Sequence, residues 1–168
     1  TQRVREFADE LTRVWAASAY RLPMQAADFG WGSNAQALNQ ALMLIQGYRL
    51  DGDRRKLDAA QSVLDYVLGR NPLGQSYVTR GGDRPPLHPH HRPSEADGVE
   101  APVPGFLVGG PNAGQPDQKG CPVRYASSRP ELSYLDHFCS YASNEVAINW
   151  NAPLVYVSAA LQALTPKK

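Results

Sequence analysis

Apolar residues recurring every three or four positions predict three helices in the first part of the chain. The first covers residues 2–17, and the second runs from residue 35 to about residue 50, after residues 31–34 supply a turn and a capping residue. A tight turn at residues 51–53 leads into the third, which Gly69 is expected to stop. The short connection predicts that the second and third helices form an antiparallel hairpin. The apolar positions are Val4, Phe7, Ala8, Leu11, Val14 and Trp15, then Ala35, Leu38, Leu42 and Ile45, then Leu57, Ala60, Val63, Leu64, Val67 and Leu68.

A last helix is predicted from about Asn151 to the end, with Pro153 in its first turn, where a missing N–H costs nothing. Its apolar positions continue to Leu164, and the Lys167–Lys168 pair suits the negative end of a helix dipole. Between the helices, residues 70–132 hold 11 of the 14 prolines and show no sustained periodicity. Since so long an irregular loop is uncommon unless it is functional, the pattern predicts an all-α domain with a functional loop and no strand of consequence.

Composition narrows the possible functions. A chain of 168 residues with 42% hydrophobic residues is long enough for one domain with a core, and a net charge of +1 gives no reason to expect nucleic acid or membrane as a partner. The sequence contains neither an apolar run that could span a bilayer nor a secretory signal. Cys121 and Cys139 are too few for a disulfide framework, so free thiols are expected, with one disulfide or a metal site as alternatives.

The densest chemistry lies at residues 134–153, where Asp136 and Glu145 stand nine residues apart among aromatic and amide side chains. Such surroundings suit general acid–base chemistry on a sugar. A carboxylic acid gives up a proton near neutral pH when apolar or like-charged neighbours raise its pKa. Tyr141, Val146 and Trp150 are candidate apolar neighbours, and Asp136 is a candidate like charge. The alternatives are a carboxylate at a helix start for Glu145 and a capping or turn residue for Asp136.

A second set of candidate residues lies in the long loop, at residues 69–79 and 89–92. His90 and Arg92 can donate hydrogen bonds to sugar hydroxyls. The neighbouring His88 and His91 also permit a metal site, and an ordinary surface loop is the third possibility. Further along, the glycine-rich residues 104–112 favour either a specially shaped loop or a simple turn.

These stretches resemble glycoside hydrolase family 9, the inverting cellulases, from about residue 31 to residue 164. Residues 134–153 are similar to the family's second signature, and residues 69–92, ending in Pro-His-His-Arg, to its first. The resemblance implies an (α/α)6 barrel that cleaves β-1,4-glucans, with Glu145 as the general acid and Asp136 positioning and tuning the site. It implies that His90, Arg92 and Tyr141 contact the substrate, that Tyr77 packs in the interior and that residues 104–112 shape the cleft. Asp97 resembles a position that can contribute to structural calcium, and no cofactor is implied for the chemistry.

The base expected of an inverting enzyme has no counterpart in the sequence. The family supplies it from an Asp-x-Gly-Asp motif, which this chain lacks; the turn at Asp51 and Asp53 departs from that pattern. We therefore expect the C-terminal part of a catalytic domain, inactive alone and with uncovered apolar faces, whose partners are an N-terminal part and a β-glucan or cello-oligosaccharide. Export from the cell is expected by analogy. The alternatives are a cellodextrinase or β-glucosaminidase of the same family, a non-catalytic carbohydrate-binding fragment, and a His/Cys metalloprotein.

Overall fold

The computed structural model describes residues 1–165 and is built from helices, as the periodicity predicts. The three predicted N-terminal helices and the last helix are all present, and two short helices occur in the loop region. The Lys167–Lys168 pair lies outside the described residues. The helices are α1 (Gln2–Ala17), α2 (Ser33–Asp51), α3 (Arg54–Val67), α4 (Arg92–Ala96), α5 (Tyr141–Asn144) and α6 (Ile148–Leu164), with 3-10 turns at Ala26–Asp28 and Pro130–Leu132.

Helix α2 is the centre of the fold and packs against α1, α3 and α6. Its core positions Leu38, Leu44 and Ile45 are fully buried. Helix α3 begins three residues after α2 ends and packs against it, so the predicted α2–α3 hairpin is confirmed. The predicted cap is wrong in detail. Gly32, in a left-handed conformation, precedes α2 without a side-chain cap, and Asn34 lies inside the helix.

The start of α6 differs from the prediction, because the helix begins at Ile148 and Pro153 lies in its interior. Two bonds of the Asn151 side chain, one local and one to the distant Leu107, hold the earlier start. The Asn151 side chain donates to the Ala147 carbonyl at 2.9 Å and accepts the Leu107 backbone N–H at 2.8 Å. With these bonds the helix begins five residues before the proline. Because Pro153 has no backbone N–H, the Asn149 carbonyl lacks its usual helical donor.

The loop region is irregular, as predicted, but it is tied to the helical core by backbone pairs. Within residues 1–165, pairing of the strand type is limited to three isolated bridges. The bridges are Val78 with Leu107, His90 with Glu145, and Val108 with Val146. Two of the three involve residues 145 and 146, so distant parts of the loop converge on the segment between α5 and α6.

The two cysteines form a disulfide, which corrects the expectation of free thiols. The loop before it folds back onto the start of α5, where the buried Asp117 accepts hydrogen bonds from the Tyr125 hydroxyl at 2.8 Å and the Ala142 backbone N–H at 2.9 Å. This folding brings the Cys121 and Cys139 Cα atoms to 5.3 Å. Because the two residues are 18 positions apart, local sequence gave no sign of the contact.

Helix α6 leaves apolar side chains in solvent. Ile148 is 93% exposed and Val155 is 69% exposed. They flank a depression of about 530 Å3 that His91 and Phe106 also line. The uncovered apolar face that we expected is therefore present on α6. Among the described helices, none is both long and apolar enough to cross a membrane.

Candidate active site

Glu145 lies in an extended segment directly after α5, where two loops hold its backbone. It forms a parallel bridge with His90, and its carbonyl accepts the Gly109 N–H at 2.9 Å. The predicted alternative for Glu145, a carboxylate at a helix start, is wrong because the residue follows α5 and lies three residues before α6. Held by neighbours on both sides, the Glu145 side chain projects from a fixed backbone.

The carboxyl group of Glu145 is partly exposed and meets a tryptophan that the sequence did not single out for the site. The Trp31 indole N–H donates to Glu145 Oε2 at 3.2 Å. Trp31 is 59% exposed, so one face of the ring is open beside the carboxyl group. A tryptophan in the turn before α2 was the one signal in the sequence, but nothing local connected it to a residue 114 positions away. The expected neighbours Val146 and Trp150 pack against the hydrophobic core instead.

Three further rings surround this point. The ring centroid of Tyr141 lies 5.7 Å from that of Trp31 and 6.4 Å from that of His90. His90 stacks on Phe138 with centroids 5.0 Å apart, and its Nδ1 faces the Phe138 carbonyl. The structure thus brings together Glu145, His90 and Tyr141, three of the residues predicted for the site.

Asp136 acts on the backbone of the loop that carries His90. Its two carboxylate oxygens accept the Leu87 N–H at 2.8 Å and the His88 N–H at 3.0 Å. A third bond comes from the Asn144 side chain at 3.1 Å. Since these donors occupy both oxygens, the geometry favours a positioning role over proton transfer for Asp136.

The remaining predicted loop residues have separate environments. Arg92 is exposed at the first position of α4, two residues from His90. His91 caps α4 through its Nδ1, which lies 2.9 Å from Ser94 Oγ, and the His88 side chain is exposed. The histidines thus have different partners, and the part of the chain described by the structure contains no group of three or more His, Cys, Asp or Glu side chains able to hold a metal ion.

The resemblance suggested that Asp97 contributes to a structural calcium site. Asp97 is exposed at the end of α4, and its Oδ1 accepts the Val99 N–H at 2.8 Å. Calcium takes six to eight oxygen ligands. Among residues 1–165, Asp97 belongs to no group of three or more His, Cys, Asp or Glu side chains, so a calcium site at Asp97 stays a prediction.

Residues 108–110 form the support beneath the carboxyl group. The Gly110 N–H donates to the Ser143 carbonyl at 2.8 Å, and the Asn34 side chain donates to the Val108 carbonyl at 2.9 Å. This segment therefore connects α2 to the turn that presents Glu145. Tyr77 is fully buried, as predicted, and packs between Tyr66 and Tyr134.

A carboxyl group beside an open aromatic face and an imidazole ring suits an enzyme that acts on carbohydrate, since rings stack on pyranoses and polar groups bind hydroxyls. Comparison with known proteins gives the family. The model of glycosyl hydrolase family 9 matches residues 1–158, and the chain belongs to that family. The predicted family and all-α class are confirmed, and the structural neighbours are (α/α)6 barrel enzymes.

The matched relatives carry several activities in their names. The chain is 44% identical over 162 residues to a xyloglucan-specific endo-β-1,4-glucanase of Bacteroides ovatus, which covers 95% of this chain and 27% of the relative. It is 38% identical over 149 residues to a cellodextrinase of Butyrivibrio fibrisolvens, covering 89% and 27%. Among solved structures, a thermostable endoglucanase mutant of Alicyclobacillus acidocaldarius superposes with a TM-score of 0.87 at 41% identity, covering 95% of this chain and 30% of that one. The chain thus spans about a quarter of the length of the relatives it matches.

Proposed function

We propose that this chain is the acid-bearing C-terminal part of a catalytic domain that hydrolyses β-1,4-glucosidic bonds in cellulose or related β-glucans with inversion. The observation that carries the proposal is the Glu145 carboxyl group, held at 3.2 Å from the Trp31 indole and beside the ring of Tyr141. A proton donor next to aromatic faces suits a glycosidic oxygen between two stacked sugars. Membership of the family supports the same reaction class.

In this mechanism Glu145 protonates the departing sugar oxygen while water attacks the anomeric carbon from the opposite face. Inversion needs a second carboxylate, about 6.5–9.5 Å away, to take the proton from that water. Asp136 is engaged by backbone N–H groups, so the base in our proposal is an aspartate of an N-terminal part outside this chain. His90, Arg92 and Tyr141 contact the sugar hydroxyls and rings, and Asp136 keeps the loop of His90 in place.

The N-terminal part also has a surface to cover. The exposed Ile148 and Val155 and the depression between His91 and Phe106 form an apolar area beside the proposed acid. Burying such an area between two parts of one domain stabilises both. We propose that the N-terminal part packs here, and that the chain alone is inactive because the base is missing.

Substrate choice is set within the same reaction class. The names of the matched relatives include a xyloglucan-specific endoglucanase and a cellodextrinase, which supports an endo-acting enzyme and leaves an exo-acting cellodextrinase or a β-glucosaminidase as alternatives. Our proposal assigns no cofactor to the chemistry. Action on a polymer outside the cell, by analogy with the family, is part of the same proposal.

The test is reducing-sugar release from a soluble β-1,4-glucan. The sample is a chimera in which this chain replaces the matching C-terminal part of the Bacteroides ovatus enzyme. We expect hydrolysis by the chimera, no hydrolysis by the isolated chain, and a loss of about 10²-fold or more in kcat for Glu145→Gln in the chimera. The matched control is Glu6→Gln, which changes a glutamate on α1 and should keep full activity. An active Glu145→Gln chimera would show that Glu145 is not the acid.

The same variant separates hydrolysis from simple carbohydrate binding. If the chain is a non-catalytic carbohydrate-binding fragment, the isolated chain should bind cello-oligosaccharides and the chimera should remain inactive despite correct folding. Calorimetric titration with cellohexaose measures the binding. In the enzyme reading, Glu145→Gln keeps the affinity and loses the turnover.

A further inference from the structure

Asn144 is a fully buried residue that stands next to Glu145 in the chain and bonds to two other segments of the site. Its side-chain N–H2 donates to the His88 carbonyl at 2.6 Å and to Asp136 Oδ1 at 3.1 Å. Its side-chain oxygen accepts the Tyr134 hydroxyl at 2.6 Å. Both side-chain N–H groups and the side-chain oxygen are therefore engaged, with one bond to the segment of His88 and two to residues 134–136.

The backbone of Asn144 is engaged as well. Its carbonyl accepts the His90 N–H at 2.8 Å, and its N–H donates to the Ser140 carbonyl at 3.0 Å. The next residue, Glu145, is fixed from the other side by the Gly109 N–H. A shift of Asn144 would thus move both the loop that carries His90 and the backbone from which Glu145 projects.

Few side chains can replace this one. Asparagine offers two donors and an acceptor on a short stem, whereas aspartate offers acceptors alone and alanine offers neither. An aspartate would also place a carboxylate against Asp136, where an amide now donates. A buried polar group that loses its partner is costly, so the neighbours would be forced to move.

We infer that Asn144 is a positioning residue that couples the substrate loop, residues 87–92, to Glu145. Asn144 holds the sugar-contacting groups at a fixed distance and orientation from the proton donor. It reaches the loop through Asp136 and the His88 carbonyl, and it reaches Glu145 through their shared peptide bond. The catalytic part of this inference rests on the function proposed above. The structural link does not, and it can be measured in the isolated chain.

The link is tested by amide hydrogen exchange in Asn144→Ala. The Leu87 and His88 amides donate to Asp136, and the His90 amide donates to Asn144 itself. Loss of the Asn144 side chain releases Asp136 and the loop, so these three amides should exchange about tenfold faster or more. Once the change in the free energy of unfolding is allowed for, the exchange rates of amides in the centre of α2 should equal those of the wild type.

The matched control is Asn71→Ala. Asn71 is also a buried asparagine, and its side chain donates to the Tyr66 carbonyl at 2.8 Å and the Gln75 carbonyl at 2.7 Å. It makes no hydrogen bond to the substrate loop in the described residues. A general loss of stability would affect both variants alike, whereas the proposed coupling speeds exchange at residues 87, 88 and 90 in the Asn144 variant alone.

If Asn144→Ala does not fold, Asn144→Asp keeps the size and the acceptor for Tyr134 while removing both donors. It should show the same faster exchange. Unchanged exchange at residues 87, 88 and 90 in a folded Asn144 variant would overturn the inference. So would equal acceleration at these amides in Asn71→Ala.

Kinetics in the chimera test the consequence for catalysis. Asn144→Asp should lower kcat by about 10- to 100-fold and raise KM, because acid and substrate loop are displaced together. A variant that is only partly folded would lose kcat in proportion to its folded fraction and keep KM, and that result would overturn the catalytic role. If exchange responds as expected but the unmutated chimera never hydrolyses glucan, the proposed function fails and the structural link stands.

Discussion

Gly110 offers the sharpest test of how the support under Glu145 is built, and we predict that Gly110→Ala strongly destabilises the protein. Gly110 has φ +92°, which side chains rarely tolerate, and an added Cβ would lie 2.4 Å from Asn34 Cγ. Backbone strain of this kind costs about 1–3 kcal/mol, and overpacking a filled site costs about 1–3 kcal/mol more. The expected loss in the free energy of unfolding is therefore about 2–6 kcal/mol.

Gly105→Ala is the matched control. Gly105 has a similar φ of +85°, but an added Cβ meets nothing within 4 Å. That variant should show the backbone cost alone, about 1–3 kcal/mol. Urea unfolding followed by circular dichroism measures both, and the difference between them isolates the steric clash with Asn34.

A double variant completes the cycle. Asn34→Ala removes the atoms that the new Cβ would strike, so its cost and that of Gly110→Ala should be less than additive, by about 1–3 kcal/mol. Strict additivity, or equal losses in Gly110→Ala and Gly105→Ala, would refute the packing explanation. In the chimera Gly110→Ala should also lower kcat, because the Gly110 N–H holds the Ser143 carbonyl two residues before Glu145.

Two further predictions concern stability. The hydrogen bond from Lys56, together with the Asp53 backbone N–H, lowers the pKa of Asp51 below its ordinary value. A carboxyl group whose pKa is lower in the folded protein stabilises the fold at pH values above its unfolded-state pKa, and this contribution is lost as the pH falls. Urea unfolding should therefore show the free energy of unfolding decreasing below about pH 4, and decreasing less steeply in Asp51→Asn. The Cys121–Cys139 disulfide closes a loop of 18 residues, so replacing both cysteines with serine should cost about 2–4 kcal/mol, measured by the same unfolding assay. The wild type should lose comparable stability with a reducing agent, while the double variant should not respond to it; a reductant-sensitive double variant would contradict this account.

The helices followed from the sequence because their signal is local. Periodicity of apolar residues describes one face of a helix, and it can be read from neighbouring residues before the partner that covers the face is known. The start of α6 was predicted wrongly. Pro153 favours a position in the first turn, whereas the bonds of Asn151 to Ala147 and Leu107 stabilise a helix that begins earlier. A contact made in the folded state outweighed a local preference.

The candidate site divides in the same way. Asp136, Tyr141 and Glu145 lie within ten residues of one another, so a single sequence motif contains all three. The family resemblance then predicts their roles. Trp31 could not be found by this route, because its bond to Glu145 spans 114 residues.

What the sequence determined by itself was the helical class, the family and the identity of the proposed acid, since these depend on local pattern and motif. The tertiary structure alone decided that Trp31 meets Glu145, that Asn144 joins the acid to the loop of His90, and that the two cysteines pair. Each of these is a contact between groups far apart in the chain. Bringing such groups together costs conformational entropy, and the packing of the core supplies the free energy that offsets this cost.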